Sequence, residues 1–196
     1  MRLIIIRHGE TEENVKKLIQ GRIPGKLTKK GISQSKKLAK RLKNEKIDAI
    51  FSSDLKRAED TVKEIAKFQK APVFYISELR EKNFGVFEGC PREEYYSAVE
   101  KSNLSFGKFK PENGESLEEV KKRIERFLQE LFKKYKGKTV LLCTHGGVIK
   151  SVFAIFLKKK IDEVIDIDID NTGVNIFEFS DDGKHEVIMI NSIEHL

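Results

Sequence analysis

The feature that most limits what this chain can fold into is the run Leu3-Ile4-Ile5-Ile6, cut short by Arg7-His8-Gly9-Glu10-Thr11. Four branched aliphatic residues in a row are too few for a helix core and read as a strand buried on both faces. In an open parallel sheet, ligands bind in the crevice outside the carboxyl ends of the strands. A histidine at such an end can act as base, metal ligand or nucleophile. Arg7 beside it points to an anion, and to a phosphoryl group in particular, because a guanidinium matches phosphate oxygens in a fork. Gly9 is expected to let the backbone approach that anion.

The pattern recurs late in the chain. Thr139-Val140-Leu141-Leu142-Cys143 is a second apolar run, and Thr144-His145-Gly146-Gly147 follows it directly, ahead of a helical pattern over 148–157. Two parallel strands carrying these motifs would bring both imidazoles to one crevice. Between them, a short helix is expected over 12–18 with Thr11 as N-cap. Its N-terminus would face His8 and offer N–H groups to an anion, and Asn14 on its first turn could reach inward. Residues 20–26 read as a loop. Thr28 then caps a helix to about residue 44, with Ile32, Leu38, Ala39 and Leu42 on one face. A strand over 47–51 leads through the capping cluster Ser52-Ser53-Asp54 into a helix that places Arg57 on its first turn. Arg57 there is either a second phosphate-binding cation or a surface residue paired with Asp54 or Glu59.

A third strand spans 72–76. From 77 to 115 the periodicity breaks up under Gly85, Gly89, Pro91, Gly107, Pro111 and Gly114, which reads as a lid over a site, with one helix starting near Pro91. Its aromatics, Phe84, Phe87, Tyr95, Tyr96, Phe106 and Phe109, are expected to form the core of that cap. Ser116-Leu117-Glu118-Glu119 is a capping box that opens a helix ended by Gly137. The segments 174–179 and 186–190 read as a hairpin turning near Asp182-Gly183.

At 196 residues, the length fits one domain over 1–196 with a cap inserted at about 77–115. A net charge of +7 suits acidic small molecules, nucleic acid or anionic membranes. The lysines lie mostly in helical patterns and no basic stretch carries interleaved aromatics, so neither a nucleic-acid platform nor a membrane surface is expected. No apolar stretch reaches membrane length. Cys90 and Cys143 form no C-x-x-C and no His/Cys cluster, which fits a reducing cytoplasm and gives no metal site. The oligomeric state is not legible.

Taken together, the motifs resemble those of the histidine phosphatase superfamily, the phosphoglycerate mutase-like family. The resemblance rests on Arg7-His8-Gly9-Glu10-Thr11 with Asn14, Leu27-Thr28 with Gly31 and Gln34, and Ser52-Ser53-Asp54-Leu55-Lys56-Arg57-Ala58 with Thr61. Further matches are Leu79-Arg80-Glu81 with Gly85 and Glu88-Gly89, then Gly114-Glu115-Ser116 with Arg123, and Thr144-His145-Gly146-Gly147. It implies an α/β fold, a three-layer α/β/α sandwich with a mostly parallel, doubly wound sheet and a small inserted cap. It also implies that His8 is the phosphorylated nucleophile, that Arg7, Arg57 and His145 hold the phosphoryl oxygens with Asn14 and Gly146 beside them, and that Glu81 is the general acid. No metal and no cofactor are implied. The partner is a small phosphorylated metabolite such as a sugar phosphate or phosphoglycerate. Where family members often carry an Asp in the loop here written Gly21-Arg22-Ile23-Pro24-Gly25-Lys26, this chain has Pro24-Gly25-Lys26. That departure bears on substrate choice, with Gly21, Arg22 and Lys26 as candidate specificity residues. A phosphoglycerate mutase is the alternative enzyme, and a basic binding domain without catalysis is the alternative outside enzymology.

Overall fold

Apolar residues that alternate faces along a strand need a helix layer on each side of the sheet, and the computed structural model supplies both. It describes residues 1–180 and 184–196. The strands are β1 (Arg2–Arg7), β2 (Ala49–Ser53), β3 (Val73–Ile76), β4 (Thr139–Thr144), β5 (Val174–Phe179) and β6 (His185–Ser192), in the spatial order β3-β2-β4-β1-β5-β6. The first four positions run parallel, and β5 and β6 close one edge antiparallel. Leu3 and Ile5 pack on one face against α5 (Leu117–Lys134) and α6 (Gly146–Phe156). Ile4 and Ile6 pack on the other against α2 (Lys29–Leu42) and α3 (Lys56–Ala66). The α/β/α sandwich is thus written in the two-residue period of β1.

The capping box at Ser116 forms as read: Ser116 Oγ accepts from Glu119 N at 3.1 Å, and the Glu119 carboxylate accepts from Ser116 N at 2.8 Å. Several expectations need correction. The first helix, α1 (Glu12–Val15), is one turn long because Lys17 turns to a φ of +56° and Leu18 leaves to bridge Pro91. Asn14 N is capped by Thr11 Oγ1, so this helix end is satisfied internally and offers no anion site of its own. Ile32 is not on the buried face of α2 but is 41% exposed. The buried residues there are Gly31, Gln34, Ser35, Leu38, Ala39 and Leu42. The reason is close contact with the loop after β1. A Cβ on Gly31 would lie 2.0 Å from Glu10 O, and one on Gly9 would lie 2.7 Å from Gly31 O. Gly9 therefore serves a backbone-on-backbone approach to α2, a need the sequence does not suggest. The start of α3 has Leu55 as N-cap with no side-chain cap, although Ser53 Oγ accepts from Leu55 N.

The segment 77–115 carries α4 (Arg92–Lys101) and a small core of its own, Ile19, Tyr95 and Val99, with Phe84, Phe87, Phe106 and Phe109 packed around it. Tyr96 is half exposed at its edge. The hairpin strands β5 and β6 are present, and the expected turn at Asp182-Gly183 lies outside the described residues.

Candidate active site

The parallel pairing of β1 with β4 puts Arg7 opposite Thr144, so the residues that follow each strand meet at the same edge. The rings of His8 and His145 lie 5.2 Å apart, centroid to centroid, and both residues are buried. His8 Nδ1 donates to the Gly9 carbonyl at 2.7 Å. A carbonyl only accepts, so the proton sits on Nδ1 and Nε2 keeps its lone pair. Burial, then Arg57 and Arg7, hold the His8 pKa well below the usual imidazole value, while the Gly9 bond opposes them. The ring is neutral at physiological pH.

His145 differs. Arg57 Nε donates to its Nδ1 at 3.2 Å, which puts the proton on Nε2, facing Ser53 Oγ at 2.8 Å. Burial first, then Arg57, His8 and Arg7, lower its pKa well below the usual value. This imidazole is neutral and both its nitrogens are engaged, so an anion that bonds to it must take the place of one of these partners.

Arg57 is not the paired surface residue of the second alternative left open by the sequence. It is 1% exposed and pairs with neither Asp54 nor Glu59. Asp54 is held bidentately by Arg80, at 2.7 and 2.5 Å. The Arg57 guanidinium instead donates to the carbonyls of Gly21 (2.7 Å), Ile23 and Pro24, binding the loop 20–26 to the site. Gly21 takes a φ of +51° there, which a side chain would resist. Arg7 reaches the Ile169 carbonyl through one terminal nitrogen, and its Nε is buried without a partner among the described residues. Burial pulls both guanidinium pKa values down to about 10, with Glu81 opposing, so both remain cations at neutral pH. Two buried cations, one of them with an N–H unpartnered among the described residues, suit an anion.

Glu81 accepts from Gly147 N at 3.2 Å and from Lys82 N at 2.8 Å. It is thus placed at the N-terminus of α6, beside the open space at Gly146. Asn14 spends its amide oxygen on Thr11 N and Asn171 Nδ2, both at 3.2 Å, which leaves Nδ2 as its free donor. Arg22 sits on the loop that Arg57 anchors and pairs with Glu115 at 3.2 Å, with its Nε buried and unpartnered among the described residues. Lys26 points away: it is 83% exposed and faces Glu12 at 3.8 Å. Three participants carry no role in a sequence reading, although the first two lie in the matched motifs: Ser53 on the His145 ring, Thr61 Oγ1 accepting from Gly9 N at 3.0 Å, and Asn171. Their only signal is polarity at a strand end or on an otherwise apolar helix face.

No group of three or more His, Cys, Asp or Glu side chains that could hold a metal occurs among the described residues. No helix among them is long and apolar enough to cross a membrane.

Comparison with known proteins places this geometry. The family model described as histidine phosphatase superfamily (branch 1) matches residues 3–192. A phosphoglycerate mutase-like protein of Arabidopsis thaliana is 33% identical, covering 99% of this chain and 86% of its own length. A metal-independent phosphoserine phosphatase of the same plant is 38% identical over 77% of this chain and 66% of its own. Among solved structures, a phosphoserine phosphatase from Entamoeba histolytica in complex with 3-phosphoglyceric acid superposes with a TM-score of 0.89 at 31% identity, covering 99% of this chain and 98% of that one.

Proposed function

The chain belongs to the histidine phosphatase superfamily, and on that premise we propose that it hydrolyses small phosphorylated metabolites, without a metal, through a phosphohistidine on His8. The observation that carries this reading is the tautomer of His8: Nδ1 is tied to Gly9 O, the ring is neutral, and Nε2 is left as a nucleophile on a ring whose pKa Arg57 and Arg7 help to lower. In the first step His8 Nε2 attacks phosphorus and the bond to the ester oxygen breaks. The Glu81 carboxylic acid delivers its proton to the departing alkoxide. In the second step Glu81, now a carboxylate, takes a proton from water. The resulting hydroxide attacks phosphorus, the P–N bond breaks, and inorganic phosphate leaves with neutral His8 restored. Arg7, Arg57, His145, Asn14 and the Gly146 N–H stabilise the equatorial oxygens through both steps, which supplies by fixed dipoles and cations what a metal supplies elsewhere.

The substrate class is a phosphomonoester with a second acidic group, in line with the phosphoserine and phosphoglycerate named for the relatives. Arg22, with an unpartnered buried N–H at the loop anchored by Arg57, is the residue suited to that group. Lys26 is not, because its ammonium faces solvent and Glu12. The free thiols Cys90 and Cys143 fit a cytoplasmic protein. Residues 77–115 act as the cap of a single domain. The mutase reading is kept because one relative is named mutase-like, but a mutase must shield its phosphohistidine from water. The cap here has one ten-residue helix with which to do so.

The test is 3-phosphoglycerate supplied in excess EDTA, with and without catalytic 2,3-bisphosphoglycerate. Inorganic phosphate with little 2-phosphoglycerate is expected. Activity lost to EDTA and restored by Mg²⁺ overturns metal independence, and rapid isomer interconversion without phosphate release overturns hydrolysis.

A further inference from the structure

The peptide unit that carries the His8 ring is clamped at both ends. Its N–H, on Gly9, donates to Thr61 Oγ1 at 3.0 Å. Its carbonyl, on His8, receives two donors, Asn171 Nδ2 at 3.0 Å and Thr172 N at 3.3 Å. The same Thr172 N reaches Arg7 O at 3.1 Å. Asn171 Nδ2 also donates to Asn14 Oδ1 at 3.2 Å, so one side chain fixes both the backbone of the nucleophile and the orientation of a neighbouring ligand-binding amide.

The backbone that presents Asn171 is strained. Thr172 is β-branched, fully buried, and held at a φ of +61°, a conformation such residues rarely adopt. It is kept there by its Oγ1, which donates to Asn171 O at 2.6 Å and contacts His195 Nε2 at 3.1 Å near the C-terminus. A left-handed threonine, over-determined by its contacts, marks a turn whose shape matters more than its local energy.

We infer that Asn171 is a positioning residue for phosphoryl transfer, acting through the His8 carbonyl and the Asn14 amide and touching no substrate. The inference rests on His8 being the nucleophile. The ring presents Nε2 only while the Gly9 carbonyl that holds Nδ1 keeps its place, and that carbonyl is set by the His8–Gly9 peptide directly before it, the unit that Asn171 holds. Without the Asn171 donor the His8 carbonyl retains Thr172 N alone, and the Asn14 amide oxygen retains Thr11 N alone.

Two variants separate positioning from packing. Asn171→Ala removes the side chain. Asn171→Asp keeps its shape but presents a carboxylate that cannot donate to either oxygen. With para-nitrophenyl phosphate, both are expected to lose about tenfold to 100-fold in kcat, the scale of a misplaced reacting atom. KM should move by less than about threefold and thermal midpoints should stay close to that of the parent. Affinity for vanadate, which mimics the pentacoordinate phosphorus, should fall in step with kcat. Parental kcat in Asn171→Asp overturns the inference, as does a loss confined to KM or one accompanied by unchanged vanadate affinity. If His8→Ala proves active, the nucleophile assignment itself fails, a result distinct from any of these.

Discussion

His8→Ala is expected to lose turnover by about 10³-fold or more on every phosphomonoester, with the fold intact. The ring is buried, but its removal leaves no charge unpaired, because the imidazole is neutral in the folded protein. Its single polar contact through Nδ1 is to a neighbouring carbonyl that water can satisfy. Residual chemistry would have to come from His145. That ring already has Nδ1 occupied by Arg57 and its proton aimed at Ser53, so no lone pair faces the pocket. A substantially active His8→Ala enzyme would reverse the two assignments. Near-complete loss of both activity and folded structure would count against the neutral-ring account, and circular dichroism of the variant distinguishes that case.

Glu81→Gln is expected to discriminate between leaving groups. Glutamine keeps the length of the side chain and an oxygen to accept from Gly147 N, but it has no proton to give at neutral pH. Alkyl phosphates, whose alkoxides need that proton, should slow by about 10²-fold or more. With an activated aryl phosphate the first step should be nearly spared, seen as an undiminished burst of phenolate in the first turnover. Three other carboxylates stand near the site, and the structure gives each another task. Glu10 is held below its usual pKa by Lys30 and Thr28. Glu88 receives Arg22 N at 2.8 Å and Phe84 N at 3.1 Å. Glu115 receives Asn83 N and pairs with Arg22 and Arg123. Equal first-step losses on both kinds of substrate would assign Glu81 to binding and reopen the choice among these three.

What the sequence discloses here is whatever depends on local period and on strand ends. The alternation within Leu3-Ile4-Ile5-Ile6 is enough to require two helix layers, and two strand-end histidines are enough to place a shared crevice. What it hides depends on contacts between distant backbones. Ile32 satisfies a helical period yet faces solvent, because Gly9 and Glu10 lie so close to α2 that small and polar residues must fill that face. The packing need at Gly9 is hidden because its partner, Gly31, is far along the chain and carries no side chain to signal the contact. Arg57 is ambiguous for the same reason, since its partners are main-chain carbonyls of a loop and main-chain atoms leave no mark in a sequence. Asn171 lies in a loop, where no periodicity exists to be broken.

The central claim is that phosphate passes through Nε2 of His8. Rapid mixing with ³²P-labelled substrate, quenching within the first turnover and peptide mapping under alkaline conditions tests it directly. The predicted result is one labelled peptide containing His8, with phosphate stable to alkali and lost in acid, and with Glu81→Gln accumulating more of it from an activated aryl phosphate because the attacking water is no longer deprotonated. Label on the peptide containing His145, or steady turnover with no labelled histidine at any time, would contradict the account.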